Sequence, residues 1–147
     1  MIIHLATDHA GFELKESVKS YLKNKGYLVT DHGAHEYNSD DDYPDFIFPA
    51  AKAVAKDKSS RGIIFGGSGQ GEAIAANRIK GVRAIVFYGG NTEIPKLSRL
   101  HNDANILSIG ARSISFDDLI KVVDVWFNTS FERGRHVRRI QKLDQET

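Results

Sequence analysis

GIIFGGSGQGEAIAAN, residues Gly62 to Asn77, holds the pattern that decides the fold. Gly62 to Phe65 is a short apolar run of strand type. Gly66 to Gly71 packs four glycines around Ser68 and Gln70, and Glu72 to Asn77 opens a helix. A strand passing through a glycine turn into a helix is one half of a crossover between parallel strands. The same unit recurs outward in both directions. Upstream, Ile2 to Ala6 predicts a strand, and Phe12 to Asn24 predicts a helix with Leu14, Val18, Tyr21 and Leu22 on one face. Gly26 suits the end of that helix, and Tyr27 to Thr30 reads as a second strand. Phe46 to Lys56 is helical with a kink expected at Pro49. Downstream, Val82 to Phe87, Thr92 to His101, Ile106 to Ile109 and Phe116 to Phe127 continue as strand, helix, strand and helix. Ser115, three residues before Asp118, has the form of an N-cap. Five strands separated by helices predict an α/β fold, a Rossmann-like three-layer sandwich around a five-stranded parallel sheet. FERGRHVRRIQKL then forms a basic C-terminal helical tail with no strand after it.

Composition narrows the chemistry. At 147 residues, 41% hydrophobic and 27% charged, the chain is expected to form one domain over 1–147 with a core of its own. No apolar run approaches the roughly 20 residues that span a bilayer, so no membrane partner is expected. The opening MIIHLATDHAG lacks a basic leader region, and the expectation is a cytoplasmic protein. Cysteine is absent, which removes disulfides, thiolate nucleophiles and cysteine-ligated metals together. A net charge of +1 offers no global field for nucleic acid, so an anion must be held locally.

Sites in such sheets form at the carboxyl ends of the strands. Here those ends are Ala6 to Gly11, Thr30 to His35, Gly66 to Gly71, Tyr88 to Asn91 and Gly110 to Arg112. In the glycine turn the dinucleotide fingerprint G-x-G-x-x-G fails, because Glu72 or Ile74 stands where the last glycine belongs. The Walker pattern needs Lys where Glu72 stands, and a carboxylate there repels a triphosphate. Two readings remain: a tight turn with a solvated Glu in the first helical turn, or an oxyanion cradle beside a general base. Asp8 and His9 fit either an N-cap or an acid and imidazole facing a ligand. His101 and Asn102 close the fourth helix, where a histidine also suits the helix dipole. His32 and His35, followed by Asp40 to Asp42, invite a metal reading, but they lack a helical i,i+4 pair. A solvated aspartate loop is the preferred alternative, and His4 reads as structural. Arg112, Arg135 and Arg139 supply planar forks suited to phosphate, the last two one helical turn apart.

Five motifs in order, DHAG at 8–11, DYP at 42–44, GGSGQGEAIAAN at 66–77, RLHND at 99–103 and GRHVRR at 134–139, resemble the type B ribose-5-phosphate isomerase family. That family includes the galactose-6-phosphate isomerase subunits. The resemblance spans essentially the whole chain. It implies a homodimer, or a pair of such dimers, with each active site at the subunit interface, and it implies no cofactor and no metal. One branch of the family uses a cysteine base at the position of Gly66. This chain resembles the other branch, in which a glutamate matching Glu72 is the base. By the same matching, Ser68 and the amides around Gly67, Gly69 and Gly71 hold an enediolate oxygen, and His101 with Asp8 opens the sugar ring. His9 and Arg112, with Arg135 and Arg139 from the neighbouring subunit, grip the phosphate. Tyr43 lines the sugar pocket and Asn102 holds sugar oxygens. The implied reaction interconverts ribose 5-phosphate and ribulose 5-phosphate. A hexose 6-phosphate isomerase, or a non-catalytic phosphate-sugar or nucleotide module, is the alternative.

Overall fold

The computed structural model describes residues 1–146. Five strands, β1 (Ile2–Thr7), β2 (Leu28–Asp31), β3 (Arg61–Gly66), β4 (Ala84–Phe87) and β5 (Ile106–Gly110), form one sheet in the order β2-β1-β3-β5-β4. Every pairing is parallel. The helices are α1 (Phe12–Asn24), α2 (Pro44–Lys56), α3 (Gln70–Asn77), α4 (Glu93–Asn102), α5 (Phe116–Asn128) and α6 (Arg135–Gln145). Single 3₁₀ turns at His9–Gly11 and Ala111–Ser113 follow β1 and β5.

Alternation along the central strands builds the two faces, since successive strand side chains point to opposite sides. Ile63, Phe65, Leu107 and Ile109 join Val18, Leu22, Val122 and Trp126 in one buried cluster, under α1 and α5. Ile64 and Ile106 join Ile47, Ala51, Val54 and Ala76 in the other, under α2 and α3. These layers are the Rossmann-like sandwich that the strand and helix pattern predicts.

Element boundaries move where turn chemistry intervenes. Gly69, at φ +80°, supplies the left-handed N-cap of α3, so the helix starts at Gln70 and Glu72 falls inside its first turn. α2 begins at Pro44, whose missing N–H costs nothing in a first turn, and it continues through Pro49. β4 starts two residues later than expected because the Arg83 N–H donates to the Asn105 side chain, 2.7 Å away, instead of a strand neighbour. Ser115 caps α5 as expected, accepting from the Asp118 N–H at 3.2 Å.

The chain runs from β1 outward to β2, then returns across β1 to β3 on its other side. That reversal opens a crevice beyond the carboxyl ends of β1 and β3, the usual ligand position in such sheets.

Candidate active site

The glycine loop after β3 is pinned from β5. Ser108 Oγ, fully buried, donates to the Gly69 carbonyl at 2.7 Å, and the Arg112 N–H donates to the Gly67 carbonyl at 3.3 Å. A Cβ at Gly69 would stand 3.0 Å from the Gly110 nitrogen, so a glycine is required by space as well as by φ. The first turn of α3 therefore starts against the sheet edge, with its amides at the crevice. Ser68 is exposed at the loop tip, its Oγ accepting from the Gln70 N–H at 3.3 Å.

Glu72 is 4% exposed. Burial raises its pKa above the ordinary carboxylate value, and the nearby Asp8 charge adds to this, while a hydrogen bond from its own N–H works the other way. Its carboxylate occupies the space a side chain at position 66 would need: a Cβ built on Gly66 overlaps Glu72 Cδ and Oε1. Two neighbours close over the same loop. A Cβ at Gly71 would lie 2.7 Å from the Tyr43 hydroxyl, and one at Gly67 would lie 2.9 Å from Arg112 Nη1. Asp8 is buried and caps the short turn after β1, its Oδ1 accepting from the Ala10 N–H at 3.0 Å. His9 follows, 2.7 Å from Asp41 Oδ1 through Nδ1. Asp8, His9, Tyr43, Gly67, Ser68, Gly69, Gly71, Glu72 and Arg112 thus gather at the carboxyl ends of β1, β3 and β5.

The remaining expected residues lie elsewhere. α4 runs back from the end of β4 to the start of β5, which places His101 and Asn102 at the amino ends of the strands. The His101 ring stacks on His136 of α6, with centroids 4.6 Å apart and planes at 17°. Glu132 Oε2 is 3.8 Å from His101 Nε2. Burial holds the His136 pKa below the ordinary histidine value, and the charges of His101, Arg135 and Arg139 push it further down. The Asn102 carbonyl accepts from Arg83 Nε at 3.0 Å. A five-residue strand is on the order of 16 Å long. His101, Asn102, Arg135 and Arg139 therefore stand a strand length away from Glu72. The expectation of His101 beside Asp8 does not hold within one chain, because the crossover that α4 makes sends its C-terminus to the opposite end of the sheet.

Residues 3–143 match the Ribose/Galactose Isomerase family. The chain belongs to that family. Ribose-5-phosphate isomerase B of Mycolicibacterium paratuberculosis is 40% identical over 144 residues, covering 97% of this chain and 89% of that one. The solved structure of ribose-5-phosphate isomerase B from Clostridium thermocellum aligns with a TM-score of 0.92 at 41% identity, over 99% of this chain and 97% of its own. The Mycoplasma genitalium enzyme, solved with bound ribulose-5-phosphate, aligns with a TM-score of 0.93 at 38% identity, over 99% and 95%.

Among the described residues of this isomerase-family chain, two clusters place three metal-ligand atoms within 4.8 Å of one another: Asp8, His9 and Asp41, and His101, Glu132 and His136. In the first, His9 Nδ1 and Asp41 Oδ1 are already engaged with each other. The second sits beside Arg135 and Arg139, whose field opposes a cation. His32, considered above with His35, instead meets His4, Nε2 to Nδ1 at 2.9 Å. The aspartate run is not uniformly solvated either, since the Asp41 side chain is only 8% exposed. Sequence reading passed over Ser108 and His136, of which only His136 carried a signal, inside GRHVRR, and it took Asp41 for part of a solvated aspartate run.

Proposed function

We propose that the chain interconverts ribose 5-phosphate and ribulose 5-phosphate, an aldose-ketose isomerisation through an enediolate with Glu72 as the base. The observation that carries this is the Glu72 carboxylate, buried under a glycine loop in the space where a side chain at position 66 would otherwise lie. The names of the relatives, and the ribulose-5-phosphate bound in one of them, support the substrate.

The residues suit the chemistry in turn. Glu72 removes the C2 proton of the open-chain aldose and returns it to C1, so one carboxylate serves both transfers. Its raised pKa brings its proton affinity nearer to neutral pH, where it holds the proton during the enediolate's lifetime and still releases it. The developing oxyanion is met by Ser68 Oγ–H and by amides of Gly67, Gly69 and Gly71, which the Ser108 and Arg112 contacts fix before substrate arrives. His9 and Arg112 hold the phosphate, and Tyr43 lines the sugar side of the loop. Phosphate binding energy then orients the reacting carbons.

A homodimer completes the site. His101, Asn102, Arg135 and Arg139 lie at the opposite end of the sheet from Glu72, and a second copy can present that end to the first. His101 with the first chain's Asp8 then opens the sugar ring, Asn102 holds sugar oxygens, and the two arginines complete the phosphate grip.

Replacing Glu72 with Gln tests the base. The amide keeps the shape but accepts no proton, so turnover should fall by roughly 10³-fold or more while sugar-phosphate binding persists. Turnover within tenfold of wild type would remove Glu72 from that role. Running pentose and hexose phosphates side by side fixes the substrate: conversion of hexose 6-phosphates in preference to ribose 5-phosphate would reassign it.

A further inference from the structure

The loop between β2 and α2 carries three consecutive aspartates, and one of them is turned inward. Asp41 Oδ1 accepts two hydrogen bonds from one residue: the His9 backbone N–H at 3.0 Å and His9 Nδ1 at 2.7 Å. The Asp41 side chain is 8% exposed and that of His9 is 27% exposed. A turn holds the carboxylate in place, with the Asp41 N–H donating to the Asn38 carbonyl at 3.1 Å. Asp41 Oδ2 is buried and has no hydrogen-bond partner among the described residues. A buried carboxylate oxygen without a partner costs stability, so its charge must be offset nearby.

We infer that Asp41 is a positioning residue for His9: it holds the imidazole with its proton on Nδ1 and keeps the ring cationic, so that Nε2–H faces the substrate phosphate. This rests on the reading of His9 as a phosphate ligand. With Nδ1 donating to Asp41, the neutral ring leaves Nε2 as a bare acceptor, which repels a phosphate oxygen. The protonated ring donates from Nε2 and adds a positive charge. Retaining the proton is therefore the useful state.

The charged groups facing His9 act in opposite directions. The Asp41 hydrogen bond raises its pKa above the ordinary histidine value, with Asp8 and the Asp41 charge acting in the same direction. Desolvation and the Arg112 guanidinium after β5 lower it. Tyr37, from the same loop as Asp41, stands edge-on to the ring at 6.2 Å and adds no charge. Arg112 alone would favour the neutral imidazole beside a second cation. The Asp41 carboxylate offsets that effect at His9.

Asp41→Asn separates this role from a mere loop clip, because the amide oxygen still accepts both His9 hydrogen bonds but carries no charge. Long-range ¹H–¹⁵N spectra of the imidazoles should place the wild-type His9 proton on Nδ1 in the neutral form. The His9 pKa should fall by about one unit in the variant. In steady-state kinetics KM for ribose 5-phosphate should rise about threefold to tenfold at pH 7.5, with kcat within about twofold, and the rise of KM with pH should begin at lower pH. Competitive inhibition by inorganic phosphate should weaken in parallel. An unchanged His9 pKa, or a KM profile that does not move, overturns the inference. Should the variant fail to fold, the wild-type spectra still decide: a neutral His9 carrying its proton on Nε2, or a pKa at or below the ordinary value, overturns it. His9→Asn distinguishes the underlying reading. If that variant leaves KM unchanged, His9 is no phosphate ligand and both fail. If it raises KM while Asp41→Asn does not, only the Asp41 role fails.

Discussion

Position 66 and the Glu72 carboxylate compete for one space, because the Cβ of any larger residue at 66 would overlap Glu72 Cδ. Gly66→Ala should therefore displace the base without touching its chemistry. We expect kcat to fall at least 10²-fold with an overpacking cost of about 1–3 kcal/mol, read from turnover and from urea unfolding. Wild-type turnover in this variant would mean that the carboxylate acts from some other position. Glu72 stood out in the sequence because it occupies a place where nucleotide loops need glycine or lysine, while its role as base came from the family resemblance. Lys15 was not, since a lysine in an amphipathic helix reads as solvent-facing. In the structure it is fully buried, with Nζ 2.8 Å from both Asp31 carboxylate oxygens and 2.7 Å from the Ala34 carbonyl. Despite desolvation, hydrogen bonds from Lys15, Lys19 and the Gly33 N–H bring the Asp31 pKa down from 3.8 to about 2. A depressed carboxylate contributes stability above its unfolded pKa and loses it as pH falls through the folded one. Asp31 should thus supply on the order of 2 kcal/mol at neutral pH, lost between about pH 4 and 2. Acid unfolding of Asp31→Asn, compared with wild type, should show a shallower decline across that window. Equal slopes would contradict it.

Between elements, β1 meets the end of β2 through a histidine pair whose protonation the fold resists. His4 and His32 share one hydrogen bond at 2.9 Å, so one nitrogen must donate and the other accept. Burial is the main cause lowering both pKa values, and His32 lowers that of His4 further. Above about pH 6.5 both are neutral in the folded and unfolded chain, and pH has no effect through them. Below it, the unfolded chain takes up protons that the folded pair refuses, so stability declines as pH falls from about 6.5 through the lowered folded values. This window lies well above that of Asp31. Replacing His32 with Gln should flatten the dependence of the urea midpoint between pH 7 and 5. If the variant keeps the wild-type slope, the pair is not its source. Sequence reading placed His4 inside a strand but could not pair it with His32, because strand register is not written in hydrophobic spacing alone. The helices fared better: the Ser115 cap and the tail helix followed from local chemistry, whereas the α3 start depended on the left-handed Gly69.

For the molecule as a whole, topology divides the expected residues between two ends of one sheet. Glu72, Asp8, His9, Tyr43 and Arg112 belong to the carboxyl end, and His101, Asn102, Arg135 and Arg139 to the amino end. No spacing in the sequence announces that split, yet it follows once α4 is seen to carry the chain back between two parallel strands. The account therefore requires each working site to combine Glu72 of one chain with Arg135 and Arg139 of another. The direct measurement mixes two inactive homodimers, Glu72→Gln and the double variant Arg135→Ala/Arg139→Ala, and lets their subunits exchange. Each mixed dimer would hold one site with every defect and one with none. Random exchange makes about half the dimers mixed, and half of their sites are intact, so activity should recover toward roughly a quarter of wild type. No recovery, with exchange confirmed by native mass spectrometry, would contradict the shared site.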